Sequence, residues 1–330
     1  MEKLKLTFIN VGYGEAMLLE CPDASRPDGV FTALIDGGGA EASEFEDRSS
    51  GRIPLQEYLS ANGPKRIDLM VSTHTHEDHI CGLLRAAQLA APAVLWQTMP
   101  PAFYRELRPL DVSAAQNPSQ SKFLRALNDY IALCALTEAH GGVIRAMQAG
   151  TSTPLCPGLT AHVLAPSAAD CAALEAETRA LYAETDPDAF LQKLSTLDAK
   201  MNNYSLILRL DYQDTRILLP GDTNRAGYGG IADEDLRAHL FKVGHHGQLD
   251  GADQDLADRI RPSAVVCCAS SDRRYNSAHP ETMQMLAASG AELYFSDCPC
   301  LPGLQIPPHQ ALEFTIGAGG RMQARYLPED

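Results

Sequence analysis

One run of residues constrains this chain more than any other: His74-Thr75-His76-Glu77-Asp78-His79, delivered by the apolar stretch from Ile67 to Ser72. A short apolar segment that ends at once in ligand-type side chains reads as a buried strand opening onto a site. In an extended segment, residues two apart point the same way, so His74 and His76 can grip one cation together. Once the chain bends, Asp78 and His79 can grip a second. Imidazole nitrogens and carboxylate oxygens suit zinc, manganese or iron, and no cysteine is required. Three histidines and an aspartate within six residues predict a metal site rather than a polar loop.

A single run cannot complete two cation positions, so further ligands must arrive from elsewhere. Asp222 follows the apolar segment Ile217-Leu218-Leu219 through Pro220-Gly221, and a carboxylate at a strand end is well placed to bridge two ions. His245-His246-Gly247 also ends a short apolar segment, and its glycine permits close approach of backbone to a ligand. Alone, either motif could be an ordinary surface turn. Together with the first run they form a set.

The pattern along the chain is that of a layered α/β protein. Apolar, strand-like segments occur at residues 4–10, 15–20, 31–35, 67–72, 94–96, 159–164, 206–210, 216–219, 241–243, 264–269, 292–295 and 312–316. Helical spacing is predicted at 54–61, 82–89, 121–139, 167–200, 233–240 and 280–288. Residues 41–50 read as an exposed polar loop. Strands at both ends with helices between them suggest one α/β domain over residues 1–330, with helical insertions at about 97–158 and 167–200. Such insertions either cover a substrate or pack on the outside.

Composition narrows the function classes. The net charge of −15 argues against binding nucleic acid through overall charge. A local basic rim remains open, and Arg225, Lys242, Arg273 and Arg274 lie near the later motifs. No apolar run reaches the roughly 18 residues of a membrane span. The nine cysteines form no pair of CxxC motifs, so reduced thiols and a cytoplasmic location are expected.

Taken in order, these residues resemble the metallo-β-lactamase superfamily, and more narrowly the hydrolase domain of the ComEC/Rec2-type competence proteins in stand-alone form. The segment Val11-Gly12-Tyr13-Gly14-Glu15-Ala16 is similar to that group's opening Val-Gly-Gln-Gly-Asp-Ala. Leu34-Ile35-Asp36-Gly37-Gly38, Leu164-Ala165-Pro166, Asn202-Asn203-Tyr204-Ser205-Leu206, Lys242 to Gly247 and Ala278-His279-Pro280 follow collinearly. The resemblance implies a four-layer αβ/βα sandwich with the metals at one edge of its two sheets. It implies that His74 and His76 bind the first ion, Asp78 and His79 the second, and that Asp222 bridges them. His246, which precedes Gly247, would complete the second position. Asn202 stands where the wider superfamily has another histidine, so the first position is expected to hold its ion less tightly. Asp36 would orient the histidine loop. The sequence departs from the pattern at Glu15, Cys81 and Gln248, where aspartate, glycine and serine are usual.

The implied activity is metal-dependent hydrolysis with two divalent ions, zinc first and manganese or iron as alternatives. The expected substrate is a phosphodiester, either a small molecule such as a nucleotide or phosphorylated headgroup, or a nucleic acid. Asp78, His245 and His279 are the residues expected to take part in catalysis. His245 would contact the phosphate or act as a general acid. His279 would contact the substrate or merely begin a helix. His162, mid-strand, is expected in a core or surface role. The alternatives are hydrolysis of a carboxyl ester, lactone, amide or thioester at the same site, and a non-catalytic regulatory module.

Overall fold

The computed structural model describes residues 3–328. The chain first lays down β1 (Leu4–Ile9), β2 (Ala16–Pro22), β3 (Val30–Gly37), β4 (Leu69–Val71), β5 (Val94–Gln97) and β6 (Val143–Ala146). It then builds a second sheet from β7 (Ser152–Cys156), β8 (Leu159–Ala165), β9 (Ile207–Tyr212), β10 (Thr215–Leu219), β11 (Leu240–Lys242), β12 (Ala264–Cys267) and β13 (Glu292–Phe295). Finally β14 (Ala311–Ile316) and β15 (Met322–Leu327) return to the first sheet beside β1. The spatial orders are β15-β14-β1-β2-β3-β4-β5-β6 and β13-β12-β11-β10-β9-β8-β7.

Each sheet is antiparallel at one end and parallel at the other. β3 to β6 run parallel in the first, and β10 to β13 in the second. Parallel neighbours need crossover segments, and helices on the sheet faces supply most of them. On the first sheet these include α1 (Leu55–Asn62), α2 (Glu77–Leu89) and α3 (Pro118–Ala139). Helices α4 (Ala168–Tyr182) and α5 (Pro187–Met201) lie between β8 and β9 in sequence. The second sheet carries α6 (Asp233–Leu236), α7 (Gln254–Ile260) and α8 (Pro280–Ala288).

The period-two alternation of the strands divides their side chains among three apolar cores. Phe8, Leu19, Ile35, Val71 and Trp96 meet Val163, Leu208, Leu219 and Val266 between the sheets. The alternate residues Leu18, Leu34, Met70 and Leu95 face outward onto Ile80, Leu84, Leu127 and Leu194 of α2, α3 and α5. Leu218, Phe241 and Val265 face Leu256, Ile260 and Leu286 on the far side. Three cores between four layers give the αβ/βα sandwich. Each fully buried Leu or Phe contributes about 1.5–3 kcal/mol to it, so this alternation is what holds the strand ends in register.

Several elements differ from expectation. Helix α2 begins at Glu77 rather than Gly82, so Asp78 and His79 occupy its first turn. The 167–200 helix is two helices, because Asp186 caps a new start and Pro187 fits its first turn. The 233–240 helix is one turn, after which the chain enters β11. Strands β6 and β7 fall inside the 97–158 stretch, leaving 118–139 as its long helix. Residues 41–50 are not uniformly exposed, since Glu44, Phe45 and Ser50 are buried. Among the described residues, no helix is long and apolar enough to cross a membrane.

Candidate metal centre

The site forms beyond the carboxyl ends of the parallel strands, where open α/β sheets commonly bind ligands. Beyond β4 come Thr73 to His79, beyond β10 Asp222, and beyond β11 His245 and His246. Gly37 at the end of β3 and Gly82 in α2 bring these parts together. A Cβ at Gly82 would collide with the Gly37 carbonyl, so α2 can approach β3 only because no side chain is there. Gly221 (φ +56°) does the same for the other sheet, since a Cβ on it would press on Thr73. A hydrogen bond of 2.9 Å from Leu206 N–H to Thr73 O joins the two sheets at this edge.

The four histidines share one construction: one ring nitrogen is tied to protein and the other is left to converge. His79 Nδ1–H donates to Asp36 Oδ2 (2.9 Å), leaving Nε2 3.2 Å from Asp222 Oδ2. His246 Nδ1–H donates to Cys268 O (2.9 Å), leaving Nε2 2.9 Å from Asp222 Oδ2 and 3.0 Å from Asp78 Oδ2. Thr73 Oγ1–H donates to Asp36 (2.6 Å) and accepts from His74 Nδ1–H (3.1 Å). The free His74 Nε2 and His76 Nδ1 then face each other at 3.1 Å. Anchoring one nitrogen fixes the tautomer and presents the other's lone pair, as in histidine–metal sites. Asp36 thus orients two histidines and the loop that carries them.

The electrostatics are those of a site that expects cations. Burial disfavours a charged His79, yet the carboxylates of Asp222, Asp78 and Asp36 outweigh it and raise its pKa well above the usual value. His246 is raised against the same burial by Asp222 and Asp78. Burial would push Asp222 up, but His246 and His79 hold it well below the carboxylate range. His74 moves the other way, lowered by burial and by its neighbours His79 and His76. Four buried atoms, His79 Nε2, Asp222 Oδ1, Asn202 Oδ1 and Glu15 Oε2, have no hydrogen-bond partner. Unpartnered buried lone pairs are costly, and a bound cation would satisfy them. The donor set therefore fits divalent metal ions.

Glu15, His79, Asp222 and His246 can present ligand atoms all within 4.8 Å of one another. Glu15 had been singled out only as a departure from aspartate. Lys242, suggested above for a basic rim, is instead completely buried. Its ammonium contacts Glu15, donates to Gly221 O (2.8 Å) and lies 3.6 Å from Asp222 Oδ1. Burial pulls its pKa down to about 8, while the Glu15 contact favours the charged form. The clue was available: a lone lysine inside Leu240-Phe241-Lys242-Val243 must be paired if that strand is core.

His245 and His246 diverge although they are adjacent. Both adopt left-handed backbone (φ +46° and +51°), followed by Gly247 at +67°. Left-handed non-glycine residues cost about 1–3 kcal/mol each, and the surrounding packing must hold them. The turn sends His246 into the cluster of candidate ligands and His245 into the cleft. Asp250 accepts from His245 Nδ1–H (2.8 Å), and the Gln248 side chain lies 3.2 Å from its Nε2.

The cleft above the cluster measures about 620 Å³ and is bordered by Tyr13, Lys122, Asp198, Asn202, His245 and Tyr275, among others. Lys122 and Asp198 come from α3 and α5, so both insertions help to enclose it. Tyr13 packs its ring on His246 at a tilt of 45° (4.4 Å) and meets Tyr275 edge-on (5.1 Å). The loops carrying these tyrosines are braced by Arg52, which bonds to Asp297 (2.9 Å) and Ser271 (2.7 Å) and pairs with Glu44 and Asp272. Arg274 is committed to Glu44 and Asp272 rather than to the cleft.

Of the expected residues, His74, His76, Asp78, His79, Asp222, Asn202, His245 and His246 are brought together here. His279 is not among those bordering the cleft. Its backbone N–H donates to Gly247 O (2.8 Å), its Nδ1 is buried without a partner, and it caps α8. His162 lies on β8 between Ser152 (2.8 Å) and Asp211 (3.4 Å), in a surface network of its own. Tyr13, Lys122 and Asp198 were not foreseen, since nothing in their local sequence marks them.

Residues 26–154, which include the His74–His79 run, match the family model of the metallo-β-lactamase superfamily. Over that stretch the chain is similar to the superfamily, and its two-sheet α/β architecture agrees with the resemblance. The chain is also 23% identical over 291 residues to ComE operon protein 3 of Bacillus subtilis (strain 168). That match takes in 86% of this chain and 30% of the relative, so the chain spans less than a third of that protein's length. Among solved structures it is similar to a diphosphatase from the PhnP family (13% identity, 94% of this chain and 98% of that one, TM-score 0.40). It is also similar to zinc-bound PqqB from Methylobacterium extorquens (10% identity, 88% and 97%, TM-score 0.45).

Proposed function

We propose that the chain is a metal-dependent phosphodiesterase holding two divalent ions, zinc foremost. The observation that carries this reading is the cluster beneath an open, partly polar cleft: His79 and His246 converge on Asp78 and Asp222, and His74 and His76 present their free nitrogens to each other beside them. His74, His76 and Asn202 would hold one ion, and Asp78, His79 and His246 the other, with Asp222 shared. Bound there, divalent ions would supply a water of lowered pKa and offset charge developing on the scissile group. Zinc suits a donor set of imidazoles and carboxylates without sulfur. Manganese and iron remain compatible with the same ligands.

The surrounding residues have roles that suit an anionic ester. Lys122 offers a cation at the rim, tempered by Glu77 at 3.6 Å. His245, held by Asp250, is placed to hydrogen-bond a phosphoryl oxygen or to pass a proton to the leaving oxygen. Tyr13 and Tyr275 offer aromatic surface to the leaving group. The nine cysteines are all unpaired, which supports a reducing, cytoplasmic setting. Residues 1–330 are read as one catalytic domain.

The test is turnover of bis-p-nitrophenyl phosphate and single-stranded DNA by the zinc- or manganese-loaded chain, beside an Asp222→Ala/His76→Ala control. Phosphodiester turnover lost in the control is the expected result. Turnover of a lactone or thioester alone would move the function to carboxyl hydrolysis. Full metal occupancy with no turnover of any of these would make the chain a non-catalytic module.

A further inference from the structure

Three of the four converging histidines take their anchor from the β core. Thr73 holds His74, Asp36 holds His79 and the Cys268 carbonyl holds His246. These three rings are essentially buried. His76 differs. Its Nδ1 faces His74 Nε2, so its remaining nitrogen, Nε2, needs a partner from another direction. That partner is Asp198 on α5, with Oδ1 at 3.1 Å and its backbone carbonyl at 3.3 Å. The other carboxylate oxygen of Asp198 accepts a 2.7 Å bond from Ser119 on α3. Phe123 of α3 meets the His76 ring edge-on at 5.7 Å, and Gln120 on α3 bonds to Ser195 on α5 (3.1 Å). Asn202, with its buried unpartnered Oδ1, lies four residues beyond Asp198 at the end of the same helix. Residues four apart share one helical face.

We infer that Asp198 is the positioning residue of the first cation position: it sets the tautomer and aim of His76, and so makes occupancy of that position depend on the docking of α5 against α3. This rests on the two-ion reading above. Asp198 acts through His76, not on the substrate. A carboxylate behind a ligating histidine raises the ring's basicity and fixes its orientation, and losing it commonly weakens metal binding about 10–100-fold. The second position, anchored wholly by core groups, carries no such dependence. One helix turn thus brings both the carboxylate that aims His76 and the amide that stands in for a third histidine.

The experiment is a zinc titration by calorimetry of the wild type, Asp198→Ala, Asp198→Asn and Ser119→Ala, repeated with Co²⁺ and read by visible absorption. The wild type should take two ions per chain. Asp198→Ala should keep one tight ion, weaken the other roughly 10–100-fold, and lose the cobalt bands of one position only. Asp198→Asn keeps an acceptor for the ring N–H and should recover part of the affinity, and Ser119→Ala should lower it by a smaller factor. Nitrogen-detected NMR of the metal-free chain gives a second readout. His76 should be the Nε2–H tautomer in the wild type and a mixture in Asp198→Ala. Two undiminished positions in Asp198→Ala, or equal weakening of both, would overturn the inference and leave the two-ion reading standing. A wild type that binds fewer than two ions would overturn both. Should Asp198→Ala fail to fold, Asp198→Asn and the wild-type tautomer carry the test, and an Nδ1–H tautomer in the wild type overturns it.

Discussion

The two proposed cation positions draw on different parts of the molecule. The second is built by the sheets. Asp78 and His79 sit in the first turn of a helix packed on β3, Asp222 and His246 follow β10 and β11, and Lys242 with Glu15 lies buried behind them. The first position begins in the same core with His74, but its other walls, Asp198 and Asn202, come from the helical insertion. A site held by core strands is rigid because moving it disrupts three packed layers. A site closed by an insertion is only as stable as the docking of two helices. On the proposed reading, one centre combines a half fixed by the sheets with a half that depends on helix docking.

The largest effect should come from removing what the halves share. Asp222→Ala should abolish binding of both ions and lower phosphodiester turnover at least roughly a thousandfold, since a metal supplies several kcal/mol of charge stabilisation and each factor of ten is about 1.4 kcal/mol. Elemental analysis beside kinetics would check it, and retention of one tight ion would mean that Asp222 is not shared. His245→Ala should cost about 10²–10⁴-fold on substrates with poor leaving groups and much less on p-nitrophenyl esters, with both ions retained. An equal loss on both substrates would remove the general-acid role.

Next comes the support of the fixed half. Lys242→Met leaves Glu15 buried without its counter-charge, so unfolding free energy should fall by about 3–5 kcal/mol. Denaturant titration would measure this. The paired change Glu15→Gln/Lys242→Met should recover much of the loss, and failure to do so would show that the pair does more than balance charge.

The smallest effect is in pH dependence, where the metal-free chain should reveal protons standing in for metals. His79 and His246 have raised pKa values in the folded state. Their stabilisation is therefore complete below the unfolded histidine value near 6.5 and is lost as pH rises through the folded values. Asp222 and Asp78 are lowered, so their contribution is present above about 4 and is lost as the medium becomes more acidic. Their sum favours the window between about pH 4 and 6.5 for chelator-treated protein, with the lowered His74 opposing it below the unfolded histidine value. Zinc should erase the decline on the alkaline side, and zinc binding at pH 7 should release protons in buffer-dependent calorimetry. A flat alkaline limb without metal would contradict the charge assignment at His79 and His246.

Much of the fixed half was legible in the sequence. The His74–His79 run, Gly221-Asp222 and His245-His246-Gly247 all announce themselves because each follows closely on a short, mostly apolar strand. The strands that escaped notice, β6, β7 and β15, all lie at sheet edges, where one side of the ladder is open and the apolar pattern is diluted. Helix α7 escaped because its seven residues carry few apolar positions. Asp198 was invisible for another reason: on an Ala- and Leu-rich helix with many charges, one aspartate looks like any other solvated acid.

The sequence by itself determined the layered fold and named most of the side chains that gather at the candidate site, because alternation along strands and ligand types at strand ends are local patterns. Only the tertiary structure decided which ring nitrogen each histidine offers, that Lys242 is buried against Glu15, that the left-handed turn separates His245 from His246, and that Asp198 stands behind His76. Those facts depend on contacts between residues as far apart in sequence as 15 and 242 or 76 and 198. Contacts over such separations come from packing between layers, and no local pattern encodes them.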